Sequence, residues 1–136
     1  MRRIVNEPEK LDGFRVVSNG TEILDALRNG ETVMHWETGD SMFPILMSRE
    51  YCKIRPLGEG EEANVGDAVF CTFNGKYHMV HRCSDKYNRN GRVYYQISTT
   101  GGEVYGWTSE VWGVAESTDI FQKEDDTLVR IHEFQD

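Results

Sequence analysis

Short apolar runs broken every six to twelve residues by glycine, asparagine and charged clusters dominate this chain. That spacing predicts strands and turns rather than long helices. Phe14 to Val17 forms a first strand that stops at Ser18-Asn19-Gly20. The period then changes. Ile23, Leu24 and Leu27 recur at helical spacing, with Glu22 in the first turn and Asn29-Gly30 at the exit, predicting one short helix. Strands are expected at Thr32 to Glu37, Tyr51 to Arg55, Ala68 to Phe73 and Lys76 to Cys83, the last two joined by a hairpin turn at Asn74-Gly75. Asp85 to Gly91 reads as a polar turn, followed by strands at Val93 to Ser98, Val104 to Trp107, Glu110 to Ala115 and Thr127 to Phe134. The stretch before residue 12 is too mixed for an element and reads as a loose arm. The expected class is mainly β, a curled or partly closed antiparallel sheet with one short N-terminal helix.

A chain of 136 residues suits a single domain spanning 1–136. Its 23 acidic and 15 basic side chains give a formal charge of -8 without a lysine or arginine block, so direct DNA binding is not expected. Nor is there room beside the one helix for a helix-turn-helix reader. No apolar run approaches the roughly 20 residues of a membrane-spanning helix, so a cytoplasmic location and no membrane partner are expected. Cys52, Cys71 and Cys83 lack close pair spacing and read as reduced thiols in strands. The four histidines are too dispersed for a zinc site, and neither a metal nor a cofactor is expected.

One stretch carries candidate chemistry. In Glu37-Thr38-Gly39-Asp40-Ser41-Met42-Phe43-Pro44, a small hydroxyl follows a glycine and precedes an apolar turn closed by proline. A serine hydroxyl becomes a useful nucleophile only beside a proton acceptor. His81, inside the strand pattern Tyr77 to Cys83, is the histidine best placed to be one; His78, three positions earlier, faces the other side of a regular strand. The ordinary alternatives are a turn or cap serine and a strand histidine satisfied by a hydrogen bond. The tryptophans and tyrosines have an ordinary explanation too, as sheet packing.

Three segments, Gly39-Asp40-Ser41-Met42-Phe43-Pro44, Val65-Gly66-Asp67-Ala68-Val69 and Met79-Val80-His81-Arg82-Cys83, together resemble the serine peptidase superfamily of self-cleaving SOS and phage repressors and type I signal peptidases. The resemblance covers roughly residues 32–116. It implies the repressor and signal-peptidase catalytic fold and a serine endopeptidase or self-processing peptidase, with Ser41 as nucleophile and oxyanion donor and His81 as general base. Met42 and Phe43 would line a substrate pocket, and Gly39 and Asp40 would shape its loop. The family's acidic base-orienting position falls at Gly102 here, which leaves Glu103 or Asp85 for that role. Peptides or proteins are the implied substrates, and an exposed sheet edge would offer a route to a homodimer. The alternative is a noncatalytic domain that binds a peptide or partner protein.

Overall fold

The structure, a computed structural model, describes residues 7–37, 49–122 and 127–130. Chain order gives β1 (Lys10–Leu11), β2 (Phe14–Val17), α1 (Gly20–Arg28), β3 (Val33–Glu37), β4 (Glu50–Pro56), β5 (Ala68–Phe73), β6 (Tyr77–Arg89), β7 (Arg92–Ser98), β8 (Val104–Thr108), β9 (Val111–Gln122) and β10 (Leu128–Arg130). All ten strands belong to one sheet in the order β1-β2-β3-β4-β9-β5-β6-β7-β8, with β10 added to β9.

The predicted helix forms as its spacing requires. The Asn19 side chain caps it by accepting from the Glu22 amide at 3.0 Å, while Ile23, Ala26 and Leu27 turn inward. They close a cluster with Val17, Val33, Cys52, Ile54, Ala68, Phe70 and Ala115. Each fully buried Val, Ile, Leu or Phe side chain of this cluster contributes roughly 1.5–3 kcal/mol. Seating the helix also requires Gly113, because a Cβ there would lie 2.4 Å from the Arg55 carbonyl oxygen and 3.0 Å from Leu27 Cδ1. On the other face of β5, Val69 and Cys71 join Ala63, Cys83, Tyr95, Ile97 and Val114. A third cluster, around Met34, Tyr51 and Ile120, fills the end of the sheet near β1, β2 and β10.

The expected curled or partly closed antiparallel sheet is corrected on two counts. First, the sheet is mixed. β2 and β3 run parallel, pairing Arg15 with Val33 through Val17 with His35, because α1 carries the chain back across the face before β3 begins. Second, the sheet is open. Its path ends at β1 and at β8, and although the Thr108 hydroxyl donates to the Thr72 carbonyl at 2.7 Å, no ladder joins β8 to β5 among the described residues. The resemblance to the repressor and signal-peptidase catalytic fold is therefore not sustained, and the phage-repressor, signal-peptidase and serine-protease labels lose their fold support. The matching segments are short enough to encode local turns. At Val65-Gly66-Asp67, for instance, Gly66 has φ +102° and the Asp67 carboxylate accepts the Asn64 amide at 2.9 Å, a turn that enters β5 while its Gly66 amide and Asp67 carbonyl bond the Cys83 backbone of β6 at 2.8 Å.

Element limits differ from the pattern in three places. Lys10–Leu11, assigned to the loose arm, is a strand that hairpins onto Phe14–Arg15 through Asp12-Gly13, both at positive φ. The polar stretch from Asp85 continues β6 to Arg89, where Asn90-Gly91 makes the actual turn. β9 runs on to Gln122, past a bulge opposite Tyr51 and Cys52. The buried Glu50 carboxylate fills that bulge, accepting from the Ser117 hydroxyl and from the Thr118 amide at 3.2 Å. Among the described residues, no helix is long and apolar enough to cross a membrane.

Candidate functional site

His81 is fixed by its strand. It pairs with Val69 of β5, which pairs with Val114 of β9, so the backbone is held in the middle of the sheet. Its ring stacks on Tyr105 of β8 at 4.5 Å between centroids and 27° between planes. Partial burial removes water that would solvate an imidazolium and holds the His81 pKa below the usual histidine value. The ring is therefore neutral at neutral pH, the state in which an imidazole accepts a proton.

Ser41, Gly39, Asp40, Met42 and Phe43 lie outside the described residues. The two candidate orienting carboxylates are placed. Asp85 follows a bulge in β6 and takes the adjacent Lys86 amide at 2.8 Å. Glu103 leads into β8, with its amide donating to the Thr99 hydroxyl at 3.1 Å and its carbonyl accepting from the Thr99 amide at 2.9 Å. Gly102 has φ +96°, which explains a glycine where the resemblance places an acid: the turn into β8 needs that conformation.

A second hydroxyl and imidazole do meet, in a place the sequence pattern passed over. Thr72 and His78 face each other across the β5–β6 hairpin, with Oγ1 and Nδ1 2.8 Å apart. Trp112 Nε1 donates to the same hydroxyl at 3.0 Å, and His78 packs against Gly20 at the start of α1. Thr72 is 2% exposed, so its hydroxyl ties three strands and the helix together and has no route to a substrate. The hairpin register set by Asn74-Gly75 was the signal that would have found this pair.

The far end of the sheet offers a different surface. Val104, Tyr105 and Trp107 are 51%, 48% and 41% exposed, so three of the five residues of β8 present large apolar groups to solvent. Tyr87 extends that surface inward, stacking on Tyr94 at 5.2 Å and meeting Trp107 edge-on at 5.0 Å. Beside the β6–β7 hairpin, an open groove of about 430 Å³ is lined by residues that include Glu61, Arg92, Tyr95 and Val111. No group of three or more His, Cys, Asp and Glu side chains suited to hold a metal occurs among the described residues. The three cysteines are free and buried, and burial pushes the Cys71 thiol up to about 12.

Comparisons with models of known families, with curated proteins and with solved structures each find no match.

Proposed function

We propose that this protein binds an extended segment of a peptide or partner protein by strand addition at β8. The supporting observation is the end of the sheet itself. β8 ladders with β7 on one side, ends the strand order, and exposes Val104, Tyr105 and Trp107. An added strand takes up the unmade main-chain hydrogen bonds of such an edge, and exposed side chains on alternate positions select what lies on each face. A labelled peptide alternating valine and threonine is expected to bind, read by fluorescence anisotropy. N-methylation of the peptide amides that face β8 is expected to abolish that binding. Equal binding by the N-methylated peptide would rule out strand addition.

A second reading is peptide-bond hydrolysis by Ser41 and His81, favoured by the neutral, strand-fixed imidazole. In that chemistry His81 takes the Ser41 proton as the hydroxyl attacks the carbonyl, then returns it to the leaving amine, and water releases the acyl group. Labelling by a serine-directed peptidyl electrophile, mapped by mass spectrometry, is the test. Modification of Ser41 that slows strongly in His81→Ala supports hydrolysis. A Ser41 unlabelled by such reagents, or labelled equally in both proteins, removes it.

A further inference from the structure

We infer that one face of the outer sheet, across β6, β7 and β8, binds single-stranded nucleic acid. Bases stack on Tyr87, Tyr94 and Trp107, and phosphates meet Arg82 at one end and Arg89 and Arg92 at the other. The site is the sheet face, not the β8 edge that strand addition uses, and it does not depend on that reading.

Register defines the face. Asp85 pairs with Gln96, Tyr87 with Tyr94 and Arg89 with Arg92, and Gln96 pairs in turn with Trp107 of β8. Alternate positions share a face, so these side chains stand together. Arg82 joins them: it pairs with Ser98, two positions from Gln96, past the bulge between Cys83 and Asp85. Lys86, Tyr95 and Ile97 turn to the other face, where Tyr95 and Ile97 are in the core and Lys86 meets Glu62 at 3.2 Å. From Arg82 to Arg89 the strip runs roughly 20 Å at the rise of a strand, enough for a few nucleotides.

Two observations select the ligand. Arg89 and Arg92 stand directly opposite each other across the Asn90-Gly91 turn, and neither has an ion-pair partner among the described residues. Like charges so placed repel, and an anion between them turns that repulsion into two charge-assisted hydrogen bonds. Beside them Tyr87 stacks on Tyr94 and meets Trp107 edge-on, with Tyr87 and Trp107 exposed. A polymer with an anion and a planar ring in every unit suits both features. An acidic peptide lacks the rings, a neutral sugar lacks the anions, and a duplex keeps its base faces inside its own stack. Overall composition conceals the site. β6 and β7 hold Arg82, Lys86, Arg89 and Arg92 against Asp85 as their single acid, within a chain of 23 acids and 15 bases, so the expectation of no direct DNA binding rested on charges that lie elsewhere. At physiological salt the screening length is about 8 Å, and a bound strand responds mainly to the face it touches.

The test measures the anisotropy of a labelled oligothymidylate and a labelled oligouridylate against a strand of equal length built from abasic spacers, and against a duplex, over a range of salt. At least one base-bearing strand is expected to bind about fivefold or more tightly than the abasic strand, with Trp107→Ala removing most of that preference. The stronger of the two identifies DNA or RNA as the source. Arg89→Gln combined with Arg92→Gln is expected to flatten the slope of log affinity against log salt by about 1.4, for two phosphates released. The abasic comparison uses the wild-type chain and so does not depend on how either variant folds. Equal binding of the abasic strand, or of the duplex, overturns the inference in favour of a site for polyanions in general. Binding that neither variant alters, or no binding of either base-bearing strand at low salt, overturns it outright.

Discussion

Gly113 sets how closely the helix approaches the sheet. Because a Cβ would meet the Arg55 backbone at 2.4 Å, Gly113→Ala must move α1 or β4, and backbone yields less readily than the end of a side chain. The expected cost is about 2–3 kcal/mol, read from the urea midpoint. Gly91→Ala, with no atom within 4 Å but φ +84°, should cost only about 1 kcal/mol. His81 gives a pH signature. Its folded pKa is lowered by burial, so the unfolded chain binds the proton more readily. Stability from the neutral ring is thus fully present above the unfolded value of about 6.5, is lost as pH falls through it, and levels once the folded ring is protonated too. Wild type should therefore lose more stability than His81→Gln between pH 7.5 and 5, measured by urea unfolding at each pH. The strand setting of His81 was legible from its flanking residues. The full burial of Glu50 was not, because only the bulge between β4 and β9 brings Ser117 and Thr118 to its carboxylate.

At the scale of elements, Thr72 joins β5, β6 and β9 through one hydroxyl, while its carbonyl takes the Thr108 hydroxyl from β8. Thr72→Val keeps the shape and removes the hydroxyl, leaving Trp112 Nε1 and His78 Nδ1 without that partner. A loss of about 2 kcal/mol is expected. Because the two groups act as a unit, Thr72→Val combined with His78→Phe should cost clearly less than the sum of the single changes, and a double-mutant cycle measures the difference. Asn74-Gly75, which ends β5, and the helical spacing of Ile23, Leu24 and Leu27 in α1 were legible, whereas the similar Asp12-Gly13 and Asn90-Gly91 turns were passed over because no apolar strand pattern flanks them on both sides. The outer half of β6 was missed for a physical reason. Asp85, Tyr87 and the residues up to Arg89 are exposed, so no apolar alternation marks them, and pairing with β7 makes the strand.

Across the whole molecule, the mainly β class followed from local spacing, whereas closure and strand direction did not. Whether a sheet closes depends on pairings between distant segments, and the parallel β2–β3 pair depends on which way the helix returns. The same limit governs the candidate site. Tyr105 and Trp107 read as sheet packing because nothing in Val104 to Thr108 reveals that β8 lies at an end of the strand order. Yet the feature with the widest reach is the place of β9. β4 and β5 pair with β9 and not with each other, so the two halves of the sheet, β1–β4 and β5–β8, are joined by a strand that comes after all of them in the chain. A chain that still lacks Val111 to Gln122 leaves the facing edges of β4 and β5 without their shared neighbour, and a bare strand edge is a template for pairing with other chains. Nascent chains halted before residue 111 are therefore expected to aggregate more than the full chain, read by light scattering, and a chaperone that shields strand edges is expected to suppress it.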